Sequence, residues 1–223
     1  MMTWRAAFSF ALVVMIAASI AMAVAAVERS PGWFLNPGAA WFLREVVLAL
    51  AIYAGVIIVV VANRGDDWDA EMRNAALFGS IAGLVEGLNV ALENGIGVSV
   101  QGPAMQLAGM LFVFALWAAA GARTARELNR FRPGIIAAVM SAGVCMVIGV
   151  TAGFAMELFI APPRANYVAT WAEFKRSGWT DAHAFGIANT LDSGFTHLWM
   201  GPLVALVVGS VGAAVGWRMA AHR

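Results

Sequence analysis

Long apolar runs alternate with short polar breaks along the whole chain, and most runs are longer than a buried helix of a soluble domain needs. A hydrocarbon core of about 30 Å is crossed by roughly 20 residues of helix. Six stretches reach that length: 4–27, 41–62, 75–92, 103–122, 134–160 and 184–217. Pro103 and Pro133 stand where a first helical turn accepts a residue without an N–H. The pattern predicts an all-α polytopic membrane bundle of six transmembrane helices, with residues 1–223 as one integral membrane domain. The last stretch would make about 51 Å of helix, more than one perpendicular crossing, so a kink or break is expected near Gly201-Pro202.

Composition supports this. Of 223 residues, 61% are hydrophobic and only 12% charged, against roughly a quarter charged in soluble domains. Lys plus Arg number 14 and Asp plus Glu 13, so no basic excess suggests nucleic acid. Cys145 is alone, which rules out a disulfide within the chain.

The arginines set an orientation. With the N-terminus inside, the inner segments hold nine (at 5, 64, 73, 123, 126, 130, 132, 218 and 223) against five cations outside (Arg29, Arg44, Arg164, Lys175, Arg176). The positive-inside rule then predicts a cytoplasmic (inner) membrane with both termini in the cytoplasm. The start, "MMTWR" followed by an apolar run and "AMAVAA", also has the layout of a signal peptide. Its removal would leave five spans and the same orientation. Residues 28–41 read as an outer interfacial loop with aromatic anchors. Residues 164–181 read as a short amphipathic outer helix or an ordered cap on the bundle.

Ionisable and polar groups inside spans are costly and tend to mark sites. Glu86 is the deepest, on a helix face shared with Gly79, Gly83 and Gly87, a ladder of small residues that admits a close neighbour. In the stretch "FGIANTLDSGFTHLWMGP", Asn189, Asp192, Ser193, Thr196 and His197 form a polar stripe, with Ser193 and His197 spaced for contact. Asn89, Gln101, Gln106 and Glu157 add polar groups toward the same outer side, and Glu93 lies near the end of its span. One outward-opening polar cavity would gather Glu86, Asp192, His197, Asn189, Ser193, Thr196, Asn89, Glu157 and Gln106 as ligand- or proton-binding residues. "FGSIAGLVEG" also aligns loosely with "FGIANTLDSG", and a true internal repeat would bring Glu86 and Asp192 together.

Much chemistry drops out. No nucleophile-elbow, zinc-protease, nucleotide-loop or dinucleotide fingerprint is present, and three histidines do not supply an intramembrane three-His site. Asp192, Ser193 and His197 on one helical stretch do not form a relay triad. The acidic run at Asp66, Asp67, Asp69 and Glu71 lacks the glycine and closing Glu of a calcium loop and reads as helix capping. No cofactor or metal is expected, and the balance leans away from an enzyme. The leading reading is small-solute binding or transport, proton-coupled through Glu86 and Asp192. Two rivals remain: a non-catalytic subunit or assembly partner of a membrane complex, or a homo-oligomer in that role, and a lipid-modifying membrane enzyme. The expected partners are the lipid bilayer and a small polar solute.

Overall fold

The computed structural model describes residues 4–30, 32–36, 39–62, 68–95 and 103–221. They form α1 (Trp4–Glu28), α2 (Ala39–Ala62), α3 (Trp68–Gly95), α4 (Pro103–Leu128), α5 (Phe131–Phe159), α6 (Ala161–Val168), α7 (Ala172–Ser177) and α8 (Ala182–Ala221), with a short 3-10 turn at Trp33–Leu35. Six of these helices, α1 to α5 and α8, are long and apolar enough to cross a membrane. The protein is a multi-pass helical membrane bundle.

Helices α3, α5, α8 and α4 form a ring in which each packs on the next. The diagonal pair α4 and α5 also touch, whereas α3 and α8 face each other with little direct contact. Helices α1 and α2 lie outside this ring, α1 on α5 and α2 on α8.

Small residues make the tightest seams. A Cβ at Gly79 would sit 2.6 Å from the Ser141 carbonyl oxygen, and one at Gly83 2.8 Å from Ile148 Cβ, so the expected ladder on α3 is what admits α5. On α8, a Cβ at Gly212 would meet the Ala118 carbonyl oxygen at 2.1 Å, and one at Gly216 the Ala122 carbonyl oxygen at 1.9 Å. Here the backbones of α4 and α8 are in contact, which only glycine permits.

The helices outrun the apolar windows. Helix α3 begins at Trp68 and α4 ends at Leu128, because polar residues continue both helices and satisfy each other at that end of the bundle. Asp69 and Glu71 lie in the first turn of α3, favourable at a helix N-terminus. Arg73 and Arg123 reach Glu127 at 2.7 and 2.9 Å. Fully buried Asn74 donates to Thr124 Oγ1 at 2.9 Å and to Glu127 at 3.1 Å.

Of the kink or break expected near Gly201-Pro202, a break does not occur: α8 is one continuous helix with Pro202 inside it. Pro202 has no N–H, so the carbonyl of Leu198, one turn earlier, loses its intrahelical donor. The Tyr53 hydroxyl of α2 donates to that carbonyl instead. A side chain from the neighbouring helix thus replaces the missing bond.

The opposite end is capped. Trp33 is fully buried and packs edge-on to Trp179, which in turn meets Phe185. Trp33 is therefore a core residue of the cap, while Phe34 and Leu35 are exposed as an interfacial loop would have them. The segment 164–181 forms two short helices; α6 packs on α8 and buries Val168 against Gly186. Asp181 caps α8, its carboxylate accepting from the backbone N–H groups of His183 and Ala184.

Candidate functional site

The gap between α3 and α8 holds two adjoining hollows. One, of about 390 Å³, is lined by Glu86 and Asn89 of α3, by Gln106, Met110, Val113, Phe114 and Trp117 of α4, by Met146 of α5, and by His197, Met200, Gly201 and Val204 of α8. The other, of about 150 Å³, shares Glu86, Met146 and His197 and adds Val90, Gly149, Val150, Gly153, Met156, Asn189, Thr190, Ser193 and Gly194. The shared residues make them one cavity with two lobes. Glu86 and His197 face it from opposite sides of the ring.

The space exists because α4 leans away. Every residue of α4 from 104 to 112 except Gly109 is exposed. Further along, Ala118 and Ala122 hold the helix against the α8 glycines. Gln106, Met110, His197 and Met200 are all exposed and form the rim.

Depth follows from the helical rise. Gly134 of α5, Gly121 of α4 and Ala213 of α8 meet at one level, beyond which come Arg123, Arg126, Arg130 and Arg132. At 1.5 Å per residue, His197 stands about 24 Å above that level, Gly149 about 22 Å and Asp192 about 32 Å. Gly149 touches Glu86: a Cβ there would be 3.0 Å from Glu86 Cγ. Glu86 and His197 therefore share a level along the bundle, whereas Asp192 stands about 8 Å further from the arginine-rich end.

Of the sequence-derived residues, Glu86, Asn89, Gln106, Asn189, Ser193 and His197 line the cavity. Asp192 and Thr196 are exposed and line neither lobe. The reason is helical spacing: 189, 193 and 197 fall in one row, and 192 and 196 in the next row toward the outside. The residue across from Glu86 is His197 and not Asp192, so the loose repeat gains no support from the fold. Glu157 is 3% exposed and lines neither lobe; Thr190 donates to its Oε1 at 2.5 Å, joining α5 to α8. Gln101 and the pair Asp66 and Asp67 lie outside the described residues, as does the side chain of Glu93.

His197 is held by its own helix. Its Nδ1 lies 2.7 Å from the Ser193 carbonyl oxygen and 3.3 Å from Ser193 Oγ. A carbonyl only accepts, so Nδ1 carries a proton and donates to it. Glu86 has no hydrogen bond or ion pair with a described residue. Among the described residues, no Lys or Arg lines either lobe. The described residues include no group of three or more His, Cys, Asp or Glu placed to hold a metal ion.

Sequence reasoning passed over the apolar half of the lining. Phe114 and Trp117 lie with ring centroids 5.3 Å apart, and Met110, Met146 and Met200 complete that wall. Aromatic and Met residues in a span are indistinguishable from lipid-facing ones until the neighbouring helix is placed. Thr190 was discoverable: it is a polar residue one turn before Gly194 on the cavity row.

No family model, curated protein or solved structure matches the chain. The site's own chemistry is what bears on function.

Proposed function

We propose that the chain binds a small polar solute in the cavity between α3 and α8 and carries it across the membrane, with Glu86 as the ionisable contact and His197, Asn89, Gln106, Asn189 and Ser193 as polar lining. One observation supports this above the others. Polar side chains from three different helices converge at one membrane depth on a hollow of about 390 Å³, within the range of about 300–1,000 Å³ usual for ligand pockets. A carboxylate kept at that depth without a bonded partner is costly, and a site that uses it accounts for the cost.

The subunit reading drew on the polar stripe of α8, which a partner would have to cover. It drew on the glycine ladder of α3 as well; Gly79 and Gly83 pack on α5 of the same chain, and Asn189, Ser193 and His197 face the cavity, which leaves Asp192 and Thr196 for a partner to cover. The arginine-rich level lies in the cytoplasmic half, so the cavity opens toward the outside with both termini in the cytoplasm.

The test compares purified wild type and Glu86→Gln in detergent against a panel of amino acids, amines, carboxylates and sugars. The variant should unfold at the same temperature as wild type without solute and lose the stabilisation that a bound solute gives. A panel with no stabilising member, or one that stabilises Glu86→Gln and wild type alike, sinks the proposal.

A further inference from the structure

The charge balance of the cavity names a class of solute. Its lining contains one carboxylate and one imidazole and no Lys or Arg. With Nδ1 of His197 donating to the Ser193 carbonyl, the Nδ1–H tautomer of the imidazole leaves Nε2 as an acceptor, so this side of the cavity offers a carboxyl group and an imidazole lone pair. The opposite wall offers no matching donor charge.

That wall is apolar and polarisable. Trp117 is 2% exposed and packs with Phe114, ring centroids 5.3 Å apart. With Phe114 and Met146 it presents aromatic faces and a thioether, groups that attract a cation and shelter an apolar body. A hard metal ion is held by several carboxylates, whereas the described lining has one, and no group of three or more His, Cys, Asp or Glu is placed to hold a metal among the described residues. A carboxylate or phosphate solute would meet Glu86 with no cation to offset it.

We infer that the cavity takes a small organic ammonium ion with an apolar body, its charged head between Glu86 and His197 and its body against Phe114, Trp117 and Met146. This rests on the reading of the cavity as a solute site. An ammonium group donates to both acceptors at once, and the carboxylate at membrane depth acquires the counter-charge that the protein itself withholds. The hydroxyl analogue of the same shape keeps the apolar contacts and loses the charge pairing. The carboxylate analogue adds repulsion.

The experiment uses three nearly isosteric probes: phenethylammonium, phenethyl alcohol and phenylacetate. Each is titrated calorimetrically into the full chain in detergent, with protein-free micelles as the blank. The ammonium should bind saturably at one site per chain, the alcohol roughly tenfold more weakly, and phenylacetate not measurably. Glu86→Gln should lose about tenfold for the ammonium alone, Glu86→Asp should recover part of it, and Asp192→Asn should change nothing. Trp117→Leu should weaken the ammonium and the alcohol together. Saturable binding of the alcohol or phenylacetate at least as tight as the ammonium overturns the cation assignment and leaves a solute site. Ammonium affinity unchanged in a folded Glu86→Gln also overturns it. If none of the three probes binds saturably, the solute-site reading fails with it.

Discussion

Replacing Tyr53 by Phe should destabilise the bundle through one backbone carbonyl. Pro202 leaves Leu198 O without its helical donor, and the Tyr53 hydroxyl fills that place. Leu198 is fully buried, so neither water nor a headgroup can substitute. Phe keeps the ring, which packs beside Gly143, and removes only the donor. A buried acceptor left unpaired costs about 1–3 kcal/mol in soluble proteins, and hydrogen bonds inside membranes average about 0.6 kcal/mol because alternative partners exist. At this carbonyl the backbone alternative is removed by the proline, so a value near 1.5 kcal/mol is expected. For a chain of this size that corresponds to a fall in Tm of about 3–6 °C. Thermal unfolding in detergent reads it, and a double-mutant cycle with Pro202→Ala isolates it. With alanine at 202 the helical N–H returns to Leu198 O, so Tyr53→Phe should then cost less than half as much. An unchanged Tm in Tyr53→Phe, or an equal cost in both backgrounds, would refute the argument.

Gly212→Val should prevent recovery of monodisperse protein, because its Cβ would lie 2.1 Å from a backbone oxygen that has no rotamer to change, whereas Gly55→Val, with nothing within 4 Å, should purify normally. Thr190→Val should cost about 1–3 kcal/mol by removing a donor from nearly buried Glu157, read as a lowered Tm; an unaltered Tm would show that the bond contributes nothing. Ser177→Cys, exposed on α7, should react with a membrane-impermeant maleimide added to intact cells, while native Cys145, which is buried, should not; labelling only after the cells are opened would reverse the proposed orientation.

The crossings were legible because lipid thickness imposes a length that hydropathy registers directly. Their ends were less so. Hydropathy reports where a helix is in lipid and not where it stops, so Arg73, Asn74, Thr124 and Glu127 extend α3 and α4 by forming a polar cluster that no single-helix pattern contains. The continuity of α8 was hidden for a similar reason. A proline marks a lost hydrogen bond, but the tyrosine that replaces it lies 149 positions earlier in the chain, counting from Tyr53 to Pro202. At the site, the polar residues announced themselves and their rows did not. Asn189, Ser193 and His197 separate from Asp192 and Thr196 only once the neighbours of α8 fix which way it turns.

The cavity itself follows from a gradient of side-chain size along α4. From Ala118 to Ala122 the helix reads "AAAGA", and facing it α8 carries Gly209, Gly212 and Gly216, so the two backbones meet. From Met105 to Trp117 the same helix carries Met, Gln, Leu, Phe and Trp, and the α8 residues opposite are Met200, Val204 and His197. Large side chains on both partners cannot bring backbones as close, and α4 pivots outward from its small-residue seam. Trp117, at the boundary between the two regimes, is buried and lines the cavity. A wedge opened by the bulk of apolar residues would fill with lipid or collapse. In the proposed role, α3 and α8 place Glu86 and His197 in it, where a bound solute would solvate each better than hydrocarbon does.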